Sequence, residues 1–143
     1  MKKVIVFLIF IISSNLCTQE MKSFISLDGT QIFYEDIGKG ETIVLLSGGP
    51  GLNSNYLKDL YTVLQNKYRC IILHQRGTGN SLLKEVNKET VNVSRYIEDI
   101  NGLYDELGGK KLTLVGHSWG GMLSFSYAAN QPEKIKKIIL LNT

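Results

Sequence analysis

The 143-residue sequence has few of the residues on which whole classes of protein depend. It contains two cysteines, Cys17 and Cys70, and two histidines, His74 and His117, at scattered positions. They form neither a disulfide framework nor the short ligand spacing of a zinc site. Cys70 lies in an apolar run, which is typical of a buried thiol. The sequence therefore predicts no disulfide, no metal site and no cofactor.

The sequence also has no large excess of positive or negative charge. The formal net charge is +3, from 16 Lys and Arg against 13 Asp and Glu, and 43% of the residues are hydrophobic. Basic residues are not clustered with aromatic ones, which argues against nucleic acid as a partner. The segment 77–79 reads Gly-Thr-Gly but lacks the rest of a dinucleotide-binding fingerprint. Without repeats or low-complexity segments, the composition indicates one ordinary globular domain.

The sequence has no apolar run long enough to cross a membrane, which takes about 20 residues. At the N-terminus, two lysines precede the apolar run 4–12, and two serines follow it. A basic start, a short apolar centre and a polar exit are typical of a secretory signal peptide. We expect a signal peptide over residues 1–19 and an exported protein, secreted or periplasmic, without a stable membrane span. Leu16 before Cys17 argues against a lipid anchor at that cysteine.

After the predicted leader, continuous apolar runs alternate with segments in which apolar residues recur at helical spacing. Two strand-like runs flank Asp28-Gly29, a strong signal for a hairpin turn. Runs typical of buried strands occupy 42–46, 71–73, 111–115 and 135–141. Apolar residues at helical spacing occupy 56–64, 93–107 and 119–130. This alternation predicts an α/β fold, a mostly parallel sheet of about six strands with helices on both faces.

The most informative motif follows the third parallel-strand run. Residues 116–120 read Gly-His-Ser-Trp-Gly, between a strand pattern and a helical pattern. This is the sequence form of a nucleophile elbow, a sharp strand-to-helix turn that presents a serine hydroxyl at its tip. Glycine is expected at Gly116 and Gly120 because side chains there would collide with the neighbouring strand and helix. Ser118 is thus a candidate nucleophile for acyl groups.

A serine nucleophile also needs N–H donors directed at the developing oxyanion. The N–H of Trp119, at the start of the next helix, is one candidate, and the positive end of that helix favours the same charge. The second donor is expected from the glycine-rich loop 47–51, which follows the first parallel strand. Glycines there allow the backbone to approach a substrate oxygen closely.

Three motifs stand in a characteristic order: Gly48-Gly49-Pro50-Gly51, then Gln75-Arg76-Gly77-Thr78-Gly79-Asn80-Ser81, then 116–121. Together they resemble the proline iminopeptidase family of α/β-hydrolases, over most of residues 22–143. The resemblance implies an α/β-hydrolase fold, Ser118 as nucleophile, and the N–H groups of Gly49 and Trp119 as the oxyanion hole. The elbow residues that it implies are Gly116, His117 and Gly120. The loop residues that it implies as shaping the site are Gly48, Pro50, Gly51, Gln75, Arg76 and Gly77.

The chain departs from the family pattern at two positions. Ser47 stands where the family has His, and His74 stands where it has Asp. A general esterase or amidase of the same superfamily therefore also fits. A carboxylate-nucleophile chemistry such as epoxide hydrolysis is disfavoured because position 118 is serine.

None of the other candidate groups completes a catalytic triad. His117 is expected to pack on the side of the strand away from Ser118, and His74 is disfavoured as the base because the family places that histidine far downstream. Asp99 and Asp105 are expected on the solvated face of the second helix, and Tyr56 is the first apolar residue of the helical pattern 56–64.

The order of the triad along an α/β-hydrolase is Ser, then acid, then His. A complete core of this kind has about eight strands and commonly about 200–250 residues. We therefore expect residues 22–143 to be the N-terminal part of the core of an exported serine hydrolase, with the acid and the histidine beyond Thr143. The expected substrate is a small peptide, amide or ester. The alternatives are an esterase, lipase or acyltransferase of the same fold, or a degenerate hydrolase that acts as a binding module.

Overall fold

A computed structural model describes residues 19–142. The predicted leader, Gln19 apart, lies outside these residues. The elements are β1 (Glu20–Ile25), β2 (Gln31–Ile37), β3 (Glu41–Leu46), α1 (Lys58–Leu64), β4 (Tyr68–Leu73), α2 (Val93–Glu106), β5 (Leu112–His117), α3 (Trp119–Asn130) and β6 (Ile135–Leu141). Short 3-10 turns, Ser54–Leu57 and Pro132–Lys134, lead into α1 and β6. No helix in the described part of the chain has the length and apolarity to cross a bilayer.

All six strands belong to one sheet, in the order β1-β2-β4-β3-β5-β6. The hairpin β1–β2 is antiparallel, and β2 is antiparallel to β4, whereas the remaining neighbours are parallel. The hairpin turns where Asp28-Gly29 predicts it, with Gly29 at a φ of +82°. The N–H of Ser26 donates to the carbonyl of Thr30 at 2.8 Å and closes the turn. The predicted α/β fold with a mostly parallel sheet is confirmed.

Helices cover both faces of the central strands. Successive side chains of a strand point to opposite faces, so Val44 and Leu46 pack on one side with buried residues of α2 and α3. Ile43 and Leu45 pack on the other side with the buried Tyr61 of α1. Burial on both faces explains why these strands read as continuous apolar runs. The strand β6 forms one edge of the described sheet, and its Ile139 and Leu140 are exposed there.

The register of the parallel strands brings the three sequence motifs together. Leu46 at the end of β3 pairs with Gly116 in β5, and Leu45 pairs with Ile72 in β4. The loops that follow β3, β4 and β5 therefore leave the sheet at the same carboxyl edge. In parallel sheets this edge is where ligands bind.

Candidate active site

The elbow holds Ser118 in a strained backbone conformation between β5 and α3. Its φ is 50° and its ψ is −118°, a region that costs a non-glycine residue about 1–3 kcal/mol. The N–H of Ser118 donates to the carbonyl of Leu141 at 3.1 Å. The carbonyl of Ser118 accepts from Gly121 and Met122 at 2.9 and 3.3 Å. The serine is exposed at the tip of this fixed turn.

Close approach of backbones explains both glycines of the elbow. A Cβ on Gly116 would lie 2.6 Å from the Cα of Gly121, and one on Gly120 would lie 2.7 Å from the carbonyl oxygen of Ser47. Real Cβ contacts are essentially never shorter than 3.0 Å. The collision predicted from the sequence is therefore present at both positions, and α3 begins pressed against the end of β3.

The first motif lies directly against the elbow. A Cβ on Gly48 would lie 3.4 Å from the Cβ of Ser118. Gly49 follows with a φ of +115°, and Pro50 is joined to it by a cis peptide bond. Within residues 19–142, the N–H groups of Gly49 and Trp119 have no acceptor. Neither N–H group is therefore used in a hydrogen bond within the described part of the chain.

Gln75 links all three motifs through one buried side chain. Its Nε2 donates to the carbonyl oxygen of Ser47 at 2.7 Å and to the Ser47 hydroxyl at 3.1 Å. Its Oε1 accepts from the indole Nε1 of Trp119 at 3.1 Å. The Ser47 hydroxyl, which stands where the family has histidine, also donates to the carbonyl of Leu52 at 3.3 Å. The resemblance implies that Gln75 shapes the site; its bonds join the loop after β3, the loop after β4 and the start of α3.

His74 is held away from proton transfer by two partners. Its Nδ1 accepts from the N–H of Asn80 at 3.1 Å, and its Nε2 lies 3.1 Å from Oε1 of Glu35. Since Nδ1 accepts, the ring proton lies on Nε2 and is donated to the carboxylate. The side chain is only 4% exposed. Both ring nitrogens are occupied, which agrees with the expectation that His74 is not the base.

Arg76 anchors its loop through a buried ionic cluster rather than by lining the site. Its guanidinium binds Asp99 with two hydrogen bonds of 2.7 Å, and it donates at 2.9 Å both to Asp28 and to the carbonyl of Thr90. The Asp99 carboxylate also accepts from the hydroxyl of Ser26 at 2.6 Å. The cluster joins the loop after β4 to α2 and to the β1–β2 turn.

The placement of Asp99 on a solvated helix face is wrong. Asp99 is 1% exposed and faces the core because Arg76 supplies the opposite charge there. Its position three residues after Tyr96 and one before Ile100, both buried, was the sequence signal for this burial. Asp28 belongs to the same cluster: burial raises its pKa, but hydrogen bonds from Arg76 and Thr30 outweigh burial and hold the pKa well below its usual range.

His117 and Tyr56 also differ from the sequence-based expectation. The imidazole of His117 is half-buried, and its Nδ1 lies 2.8 Å from the hydroxyl of Tyr56. That hydroxyl also accepts from the N–H of Gly48 at 2.5 Å. A Cβ on Gly48 would lie 3.1 Å from the same Nδ1. Both side chains therefore lie at the glycine loop beside Ser118, and neither is a core residue; helical spacing alone carried no signal for this.

The described part of the chain contains no hydrogen-bond partner for the Ser118 hydroxyl. Among residues 19–142, no histidine or carboxylate forms a hydrogen bond with the Ser118 hydroxyl, and Asp105 is exposed on α2. Within the same residues, no three His, Cys, Asp or Glu side chains come together as metal ligands. The described residues at this edge of the sheet include an exposed serine hydroxyl, two N–H groups without a described acceptor and the side chains that hold the loops.

Comparison with known proteins agrees with this geometry. The sequence pattern of the alpha/beta hydrolase fold family matches residues 41–143. A cis-3-alkyl-4-alkyloxetan-2-one decarboxylase from Shewanella oneidensis is 35% identical over 85% of this chain and 38% of its own length. A proline iminopeptidase from Clostridioides difficile is 33% identical over 85% of this chain and 43% of its own. The chain thus spans about two-fifths of the length of these curated relatives.

Solved structures show the same architecture. An epoxide hydrolase from Vigna radiata superposes with a TM-score of 0.78 at 24% identity, over 87% of this chain and 40% of its own. A proline iminopeptidase-related protein from Thermus thermophilus gives 0.77 at 25% identity, over 86% and 44%. The sheet order, the strained serine turn and the matched family pattern agree: this chain belongs to the α/β-hydrolase fold family and is similar in sequence to the proline iminopeptidases.

Proposed function

We propose that this chain carries the nucleophile and the oxyanion hole of a serine hydrolase. The conformation of Ser118 is the observation that carries the proposal. The backbone of Ser118 is held at a φ of 50°, while its exposed side chain makes no capping bond to α3 and so has no evident role in folding. Strain of this kind concentrates at functional sites. An exposed hydroxyl beside two available N–H donors suits attack on a carbonyl carbon.

In the proposed reaction, the Ser118 hydroxyl gives its proton to the base as its oxygen bonds the carbonyl carbon of an amide or ester, and the base later passes that proton to the leaving group. The carbonyl oxygen becomes an oxyanion, which the N–H groups of Gly49 and Trp119 stabilise. When the tetrahedral intermediate collapses, the amine or alcohol leaves with a proton and an acyl-enzyme remains. Water then releases the acid and restores the serine hydroxyl.

The proposal requires a base from outside residues 19–142. The sequence has two histidines; His74 is held by Glu35 and Asn80, and His117 by Tyr56. The curated relatives extend well beyond the length of this chain. An acid and a histidine following Thr143 in a longer gene product would supply the missing groups, in the chain order usual for this fold.

The favoured substrate is a small peptide or amide with an N-terminal proline. This choice rests on the proline iminopeptidases among the relatives, at 33% to 36% identity. The second candidate is an ester, because the relative from Shewanella oneidensis is named for an oxetan-2-one, which is a cyclic ester. An acyltransferase of the same fold would share the acyl-enzyme. The likeness to epoxide hydrolases at 24% identity concerns the fold alone.

The test is labelling of the complete gene product with a fluorophosphonate probe. We expect the wild type and Ser94→Ala, which alters an exposed serine of α2, to label equally, and Ser118→Ala not to label. A folded wild type that does not label would refute the proposal and favour a binding module. Relative rates on proline p-nitroanilide and on p-nitrophenyl acetate then separate the two substrate classes.

We further propose that the protein is exported. The basic, apolar and polar segments before residue 20 support this. Mass determination of the mature protein, purified from its source, should show a new N-terminus after residue 14. An intact N-terminus on a cytoplasmic product would refute export.

A further inference from the structure

Tyr56 occupies a position next to the site that the proposed mechanism does not use. It lies in the 3-10 turn that follows the glycine loop, and its hydroxyl oxygen is 2.5 Å from the nitrogen of Gly48. The same oxygen is 2.8 Å from Nδ1 of His117. The two rings pack edge to face, with centroids 5.3 Å apart and an interplanar angle of 62°.

The hydrogen-bond chemistry fixes one end of this series of contacts. The N–H of Gly48 can only donate, so the phenol oxygen of Tyr56 is the acceptor. The contact with Nδ1 of His117 has two possible directions, set by the imidazole tautomer: the phenol donates to Nδ1, or Nδ1–H donates to the phenol oxygen. In both cases one phenol oxygen holds the Gly48 backbone and the His117 ring together. This geometry points to a positioning role.

The two residues that Tyr56 binds, Gly48 and His117, are the sequence neighbours of the groups proposed to react. Gly48 precedes Gly49, which supplies one oxyanion donor, and His117 precedes Ser118. A glycine-rich loop has no side chains of its own with which to fix its backbone. The phenol of Tyr56 binds the Gly48 N–H and the His117 side chain, and so links the segment that carries the donor to the segment that carries the nucleophile.

The turn that carries Tyr56 is itself well anchored. The neighbouring Leu57 is buried in the core against α1. The side chain of Asn53 caps the start of the turn by accepting from the N–H of Asn55 at 2.8 Å. Tyr56, although 45% exposed, therefore extends from a fixed base.

We propose that Tyr56, oriented by His117, is a positioning residue that holds the oxyanion loop in register with the nucleophile. The proposal rests on the proposed function, since it assigns a role in the same site. It predicts that loss of the phenol hydroxyl slows the chemical step and leaves substrate affinity almost unchanged. Displacement of a reacting group by about 1 Å lowers a rate by up to about 100-fold.

The experiment measures saturation kinetics of fluorophosphonate labelling on the complete gene product. Tyr56→Phe keeps the ring against His117 and removes the acceptor for the Gly48 N–H. We expect the maximal labelling rate to fall by about 10- to 100-fold, with the half-saturating probe concentration changed by less than about 2-fold. The matched control is Tyr127→Phe, which removes a phenol hydrogen bond of 2.9 Å to Asn101, away from the site. It should lower the thermal midpoint and leave labelling unchanged.

Variants of His117 test whether Tyr56 and His117 act together as one coupled pair. His117→Leu removes the hydrogen-bond partner of the Tyr56 hydroxyl at this ring and should slow labelling. His117→Asn, whose amide can accept from a phenol or donate to it, should restore part of the rate. The double variant of Tyr56→Phe with His117→Leu should label no more slowly than Tyr56→Phe alone, because coupled residues are not additive.

The outcomes separate this proposal from the proposed function. Wild-type protein that fails to label refutes the nucleophile itself. If the wild type labels at Ser118 and Tyr56→Phe labels at the same rate, the positioning role is refuted and the nucleophile stands. A change confined to the half-saturating concentration would make Tyr56 a substrate contact and also refute the positioning role. Strictly additive effects of the two substitutions would refute the coupling to His117.

Discussion

Replacement of Arg76 by methionine removes the cation from the centre of the buried ionic cluster. The substitution keeps an unbranched side chain and deletes four hydrogen bonds, two to Asp99 and one each to Asp28 and the Thr90 carbonyl. In the variant, Asp28 lies near the surface and can be rehydrated. Asp99 is 1% exposed and water cannot reach it, so its carboxylate keeps only the hydroxyl of Ser26 as a hydrogen-bond donor.

The expected loss follows from this unpaired charge. Removing one partner of a buried ion pair costs about 3–5 kcal/mol in the free energy of unfolding. With a urea slope of about 2 kcal/mol/M, the unfolding midpoint should fall by about 2 M. Urea titration followed by far-ultraviolet circular dichroism at neutral pH, on the complete gene product, measures the shift.

Two variants make the result specific to burial. Arg69→Met removes an equally short two-bond contact with Asp36, at 2.8 and 2.6 Å, but Arg69 is 34% exposed and water can replace it. Arg69→Met should lower the free energy of unfolding by at most about 1 kcal/mol. Combining Arg76→Met with Asp99→Leu should recover more than half of the loss, because no buried charge remains. The reasoning is refuted if Arg76→Met costs no more than Arg69→Met.

Two further predictions concern the elbow and the sheet. Gly120→Ala places a Cβ against the backbone at the end of β3 and should prevent soluble expression or strongly lower the thermal midpoint of unfolding. Met122→Ala, at an exposed position of the same helix, should change the midpoint little. Equal midpoints for the two variants would contradict the close approach. The hydrogen bond from Arg69 lowers the pKa of Asp36 against the opposing effect of burial. The contribution of the Asp36 carboxylate to stability is therefore complete above about pH 4 and is lost as the pH falls through the lowered pKa. Asp36→Asn should therefore flatten the acid limb of unfolding free energy against pH, and an unchanged limb would contradict the pairing.

Local sequence signals were sufficient for the architecture. The helical pattern 119–130 coincides with α3, and the run 135–141 has the bounds of β6. The prediction that 135–141 is a buried strand is wrong within the described residues, because β6 lies at the edge of the sheet and none of its residues is buried. Continuous apolar runs identify central strands because those strands are buried on both faces. The elbow was equally readable, since the two glycines report a backbone contact that no other residue allows.

Contacts between distant segments were not readable in the same way. Asp99 is buried because Arg76, 23 residues earlier, meets it in the fold. Tyr56 meets His117 across 61 residues. Helical spacing is the same for an aromatic ring that fills the core and for one whose hydroxyl binds a neighbouring loop. Only the packing of β3 against β5 decides between the two.

The most direct test of the central claim is the position of the covalent adduct. The complete gene product, treated with a fluorophosphonate probe and digested, should give one modified peptide with the added mass on Ser118. The adduct should be absent from protein unfolded in urea before treatment, because the elbow geometry that presents the serine is then lost. An adduct on another serine, or an unmodified Ser118 in the folded protein, would contradict the assignment of the nucleophile.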